Sequence, residues 1–543
     1  MGIGNIWHSD ADFGGIMNYV SYTYLFIFLI LTFITYYLVP LKKRWIVILV
    51  SSIIFYLTSS HPKLIVFVLI SALSVYFGGL KLDSINEEYK EKKKGLEKQD
   101  RKALKETLDK KKKRIQIFLI LFNIAFIAVL KYSIFLTMIL NGVLGIFKVH
   151  IPGMRFFVPL GISYYTLQAI SYVVDISRGK YKADHHFGKV FNYLIFFGTI
   201  TEGPIAKFDE VADQIHTGHP FNYANFQNGV QLIMWGLFKK LIVADRANLY
   251  VHEVFRTLTH YHGIVNLVGI ILYTIQLYTD FSGCMDIVRG SALMLGITLP
   301  ENFKQPFFSA SVNEFWRRWH ITLGAWLKEY VLFSVTLSKP FKNISKWFKD
   351  HCNAYFGRTL PVVFSSFFVW FIMGIWHGVG IKFIIYGLYY YIIMALGLLC
   401  KPLFDKCIDV LHINVKSKPY HVFQVIRTFI LINFGMLLFR VSSMRKFYDF
   451  TIGIFDGFNL FDPRVFSIEL ELGSKEWIIL LIGILVVVIV DVLHEKGYEL
   501  RKIFNTKPIY VRYICYFVIF FTIFIFGAYG SGYDSVAFLY GAY

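Results

Sequence analysis

Two histidines stand where apolar neighbours make an ionisable group costly. His320 lies in "SVNEFWRRWHITLGAWLKEY" (311–330). His377 lies in "FFVWFIMGIWHGVGIKFIIYG" (367–387), where it is the one strongly polar side chain in about fourteen residues. An ionisable group inside a membrane segment usually marks a site, and a neutral imidazole suits proton abstraction near neutral pH. On a soluble helix the plainer reading, a hydrogen-bonded core histidine, would win. If 311–330 is one helix, Asn313, Arg317 and His320 fall at i, i+4 and i+7 and share a face. Trp316, Trp319 and Trp326 then supply bulk around that face. Arg317 and Arg318 read equally well as interfacial anchors or as cations for the phosphates of a donor. A third candidate closes the sequence: "SVAFLYGAY" sets Phe538, Tyr540 and Tyr543 just past an apolar stretch at 513–526. These rings are either an aromatic belt at the membrane surface or a hydroxyl placed for chemistry.

The elements that must position these residues are membrane helices. The chain is 56% hydrophobic and 17% charged, with a mean hydropathy of +0.52, more apolar and less charged than a soluble chain. Windows at 22–40, 64–80, 115–130, 384–400 and 477–490 are almost free of charge. Such windows, some with a few flanking residues, cross about 30 Å of hydrocarbon as helices. The expectation is an all-α polytopic membrane protein, a single domain over 1–543. Between Tyr193 and Trp376 the apolar runs are shorter and broken by Gly, Pro and charge. Re-entrant segments are expected there, for a total of about eleven to fourteen membrane or re-entrant helices.

The formal charge of +20 falls mostly between spans, as orientation in a membrane requires, rather than on one nucleic-acid-binding face. Cys284, Cys352, Cys400, Cys407 and Cys515 form no CxxC pair, so neither a disulfide framework nor a zinc site is expected. The pairs His216/His219 and His260/His262 lack further ligands at metal spacing, and no metal is assigned. The first residues carry Asp10 and Asp12 and no early Lys or Arg, unlike a signal peptide.

Charge also sets the expected orientation. The run at 81–114 holds fourteen basic and eight acidic residues, reads as solvated helix, and belongs in the cytoplasm by the positive-inside rule. Counting back places the N-terminus outside. The basic segments 401–418 and 496–512 are likewise inside, the acidic stretch 448–476 outside. The last span then delivers the tail, 530–543, to the external face of the membrane.

"FWRRWHITLGAWLKEYV" and "GIWHGVGIKFIIYG" resemble the two histidine signatures of the membrane-bound O-acyltransferase family. "VPLGISYYTLQAISYVVDISRGKY" (158–181) and "GTITEGPIAKFDE" (198–210) resemble its bacterial branch, typified by the alginate O-acetylation protein. The resemblance runs in order over roughly 155–440. It implies a ring of tilted helices around a thin central funnel or tunnel, with His377 as principal catalytic residue and His320 as the second. Asn313, Trp316, Arg317 and Trp376, beside the two histidines, are the expected donor-binding residues. The donor implied is acetyl-CoA or an acyl-carrier thioester on the cytoplasmic side, with no permanently bound cofactor. The acceptor is an extracellular or cell-wall polysaccharide, reached directly or through an external acyltransferase, with membrane lipid around the protein and no nucleic acid. The F-x-Y-x-x-Y pattern of the tail resembles a motif of envelope acylation systems, which implies that Tyr540 carries the acyl group as an ester before a second transfer. Rival readings are D-alanyl transfer from a carrier protein to teichoic acid, and a polysaccharide transporter using the histidines as a proton relay. The charged run at 81–114 is longer than the alginate branch leads one to expect.

Overall fold

A computed structural model describes residues 17–153, 156–257, 260–467 and 470–529. It is helical throughout, with no strand among the described residues and an isolated antiparallel bridge between Phe303 and Trp319. Eight helices are long and apolar enough to cross a membrane, and Thr23–Leu38 and Ser133–Phe147 are shorter apolar helices. The expected windows all fall within this set. The chain is an all-α polytopic membrane protein. Its helices form two compact units, Met1–Val230 with Val288–Pro300, and Gln231–Ile287 with Glu301–Tyr543.

In the first unit the charged run is not a separate element. Helix α1 (Ile65–Lys92) carries its apolar stretch straight on into charge, turns at Gly95, and returns as α2 (Lys98–Leu130). In the apolar part the side chains of Ser71 and Ser74 bond to Asn123 of α2. Such a polar clasp is favourable where no water competes. Beyond it the helices carry surface pairs, Lys90–Glu87 at 3.0 Å and Lys92–Glu88 at 2.7 Å, which solvent screens to a small contribution. The segment 158–181 supplies Ile162–Arg178, whose residues are buried almost without exception. Gln168 and Tyr193 both donate to the Ala206 carbonyl of the "GTITEGPIAKFDE" segment, so these two motifs pack on one another as scaffold.

In the second unit, the lysines buried among the described residues are paired. Lys240, 1% exposed, meets Asp280 at 2.7 Å and Asp245 at 2.8 Å, and Lys239 meets Asp286 at 2.7 Å. Unpaired, such groups would cost several kcal/mol each. Next come α3 (Val312–Arg318) and α4 (Ile321–Trp326), then α5 (Lys339–His351), α6 (Ala354–His377), α7 (Ile381–Leu399) and α8 (Lys418–Arg440). Helices α6 and α7 are antiparallel: Tyr355 Oη donates to the Leu398 carbonyl at 2.6 Å. Their backbones nearly touch, since a Cβ on Gly387 would lie 2.3 Å from the Trp370 carbonyl oxygen. The chain reverses between them at "HGVG", where Gly380 has φ +122°, a conformation open to glycine and strained for other residues. Tyr389 of α7 donates to the Leu431 carbonyl of α8 at 2.7 Å, which fixes the third helix beside the pair.

Candidate active site

His377 is the last residue of α6, 3% exposed. Its ring meets Tyr386 of α7 at 5.5 Å and Phe439 of α8 at 5.4 Å, both edge-to-face. Three helices thus converge on one imidazole. Lys382 closes the same corner, donating to the carbonyls of Phe439 and Val441 at the end of α8, where the helix dipole favours a cation.

His320 is held by different means. Helix α3 begins with the Ser311 side chain accepting from Glu314 N–H, and Arg318 pairs with Glu314 and Glu495, each at 2.6 Å. The helix stops there. Trp319 turns extended to bridge Phe303, with Lys304 N–H on the Arg318 carbonyl and Ile321 N–H on the Asn302 carbonyl. His320 then adopts φ 48°, ψ 52°, a left-handed conformation uncommon outside glycine and often kept at functional positions. The expected single face of Asn313, Arg317 and His320 is therefore corrected. Pairing with 302–304 ends the helix before His320, and only Asn313 and Arg317 share a face, which is exposed.

Sequence reasoning missed Asn302. Its Oδ1 accepts from Thr322 N–H at 3.0 Å and the Thr322 hydroxyl at 2.9 Å, and lies 3.3 Å from His320 Nδ1. A backbone N–H can only donate, so that atom is the oxygen, and His320 must donate to it from Nδ1. The lone pair then sits on Nε2, the form a general base needs. His320 is 1% exposed and lies outside the eight apolar helices. Burial first, and His377 second, hold it well below the usual imidazole value of 6.5, so it is neutral at physiological pH.

Trp376 joins the two histidines, its ring centroid 5.8 Å from His320 and 5.1 Å from His377. Trp316 instead packs on Trp370 and Tyr390 at 5.2 and 4.8 Å. Of the expected donor-binding set, Trp376 lies at the histidines, Trp316 in the adjoining aromatic layer, and Asn313 and Arg317 on the outer face of α3. Tyr540 lies outside the described residues. The arrangement offers two buried imidazoles in an aromatic enclosure, suited to taking a proton from an attacking hydroxyl.

Comparison with known proteins agrees with this chemistry. A family model described as MBOAT, membrane-bound O-acyltransferase, matches residues 177–439, a stretch that holds both histidines. The "Probable alginate O-acetylase AlgI" of Pseudomonas aeruginosa is 27% identical over 436 residues, covering 79% of this chain and 73% of that protein. The teichoic acid D-alanyltransferase of Bacillus subtilis is 28% identical over 52% of this chain and 68% of its own length. The peptidoglycan O-acetyltransferase of Helicobacter pylori is 27% identical over 61% of this chain and 63% of its own length. Residues 177–439 of this chain form a membrane-bound O-acyltransferase domain, and the protein is an acyltransferase.

Proposed function

We propose that the protein moves an acyl group, most simply acetyl, from a cytoplasmic thioester donor to the outer face of the cell membrane for O-acetylation of an extracellular or cell-wall polysaccharide. The observation that carries this is the pair of buried imidazoles on either side of Trp376 in a multi-pass membrane protein. In the reaction, a hydroxyl attacks the thioester carbonyl while a histidine takes its proton. The tetrahedral oxyanion collapses, the carbon–sulfur bond breaks, and the thiol leaves with a proton returned by the imidazolium. His377 is the base in this reading and His320, with its fixed tautomer, orients and assists. Arg317 and Asn313 meet the polar part of the donor, acetyl-CoA or a carrier-bound thioester. Passing only the acyl group spares the donor's phosphates any entry into hydrocarbon.

Acetyl is favoured over D-alanyl because the relative named for alginate O-acetylation aligns with 79% of this chain and the one named for D-alanylation with 52%. The test uses the purified protein with each donor: His377→Ala should lose about 10²–10⁴-fold in acyl transfer while inserting normally. A wild-type rate in that variant refutes the assignment.

The tail supplies the attacking hydroxyl in this reading. Tyr540 takes the acyl group from the thioester as an aryl ester, and a polymer hydroxyl then attacks that ester and releases the tyrosine. The ester stays activated because a phenol, pKa about 10, leaves more readily than an alkyl alcohol. Tyr540→Phe keeps the ring and deletes the nucleophile, and polymer acylation should cease. Full acylation by both Tyr540→Phe and Tyr543→Phe reduces the tail to an interfacial belt.

A further inference from the structure

Helices α5 and α6 form a hairpin that the acyl-transfer chemistry does not use. Asn353 caps α6, its side chain accepting from Tyr355 and Phe356 N–H at 3.1 and 2.9 Å. Next to this turn the backbones are close, a Cβ on Gly357 falling 3.0 Å from Lys349 Cα. Farther along, Phe341 of α5 meets Phe364 of α6 with ring centroids 6.0 Å apart. The two helices therefore run antiparallel, α5 lying back along the first half of the apolar α6.

Between them is a cavity of about 490 Å³. Lys342, Lys346 and Lys349 line it from α5 and Arg358 from α6, against one carboxylate, Asp350. The three lysines recur at i, i+4 and i+7, one face of the helix. None of the four cations forms an ion pair within 4.0 Å among the described residues. Like charges so stacked repel one another along the helix, a repulsion that an anion in the groove would relieve. The rest of the lining is three hydroxyl residues, Thr336, Ser345 and Ser365, and an apolar wall of Phe341 from α5 with Pro361 and Val362 from α6, the helix that continues as a membrane span. Trp347 on α5 and Val362 and Phe364 on α6 are exposed, as on helices that lie at a membrane surface.

We propose that this groove binds an anionic phospholipid, its phosphate held by Lys346, Lys349 and Arg358 and an acyl chain laid along Pro361 and Val362. Charge complementarity selects the ligand: four cations against one carboxylate favour an anionic headgroup over a zwitterionic one. The apolar wall selects a lipid over a soluble phosphate. The site is distinct from the histidines, since Arg358 and His377 are separated by about 28 Å along α6 at 1.5 Å per residue.

The test is native mass spectrometry and thermal unfolding of the full-length protein with phosphatidylglycerol, phosphatidylcholine, inorganic phosphate or coenzyme A. The wild type should retain phosphatidylglycerol at least about fivefold over phosphatidylcholine, a difference of about 1 kcal/mol. The combined variant Lys342→Gln, Lys346→Gln, Arg358→Gln should lose that preference. The control Lys81→Gln, Lys102→Gln, Lys110→Gln, on the other charged hairpin, should keep it. Val362→Trp fills the groove without touching a charge and should also weaken phosphatidylglycerol binding, so the idea stays testable if the triple variant does not fold. Equal retention of the two lipids, or an undiminished preference in the triple variant or Val362→Trp, overturns the proposal. So does displacement of phosphatidylglycerol by inorganic phosphate or coenzyme A at matched concentration, which assigns the groove to a soluble anion.

Discussion

The two histidines share Trp376 but are positioned by opposite strategies. His377 ends a regular apolar helix and is fixed by packing on Tyr386 and Phe439. His320 sits in a left-handed link between two short helices and is fixed by the hydrogen bond it donates to the side chain of Asn302, eighteen residues earlier. A packed imidazole at a helix end tolerates change in its neighbours because many weak contacts hold it. An imidazole held through one polar atom does not, because that atom sets both its orientation and its tautomer.

The comparison predicts a graded series. The largest loss is that of His377→Ala, and the double variant His320→Ala, His377→Ala should be scarcely slower, since groups acting as a unit are not additive. Purified-enzyme rates check this, and a double variant slower by the product of the two single losses would separate the histidines into independent roles.

Next is Asn302. Asn302→Leu leaves Thr322 and His320 without their shared acceptor, and burying such donors unpaired costs about 1–3 kcal/mol, some ten- to hundredfold in rate if expressed in the transition state. The pH profile distinguishes positioning from mere stability. His320 is held below 6.5, so its base form persists as pH falls through 6.5, and the wild-type rate should decline only at lower pH. Asn302→Asp keeps an acceptor and adds negative charge, which favours the imidazolium and should move that decline to higher pH. An unmoved profile in Asn302→Asp would mean that Asn302 only supports the fold.

The smallest effect concerns the exposed face of α3. Arg317→Gln should raise KM for the thioester donor severalfold with kcat nearly unchanged, because it removes an interaction made equally in ground and transition states. An unaltered KM leaves Arg317 as an interfacial anchor.

The same contrast explains what could be read in the sequence. Long charge-free windows must be helices in a membrane, so the apolar helices were legible, as was the solvated character of 81–114. An imidazole in such surroundings announces itself, so both histidines were legible too. The break at Trp319 was not: "RRWHIT" contains no Gly or Pro, and the helix ends there because a distant segment, 302–304, supplies the pairing. Asn302 lies outside any periodic pattern, and no local signal points to it. The groove between α5 and α6 was equally hidden, since lysines at helical spacing look the same whether they face water or a cavity.

The central claim is that an acyl group alone crosses the membrane at the two histidines. It is tested most directly in sealed proteoliposomes of uniformly oriented protein, with isotope-labelled acetyl donor on the face bearing 401–418 and polysaccharide acceptor only on the other. The account predicts labelled polymer on the far side, the donor's unlabelled free thiol retained on the near side, and neither transfer nor label in His377→Ala. Label appearing only when donor and acceptor share a compartment would contradict it.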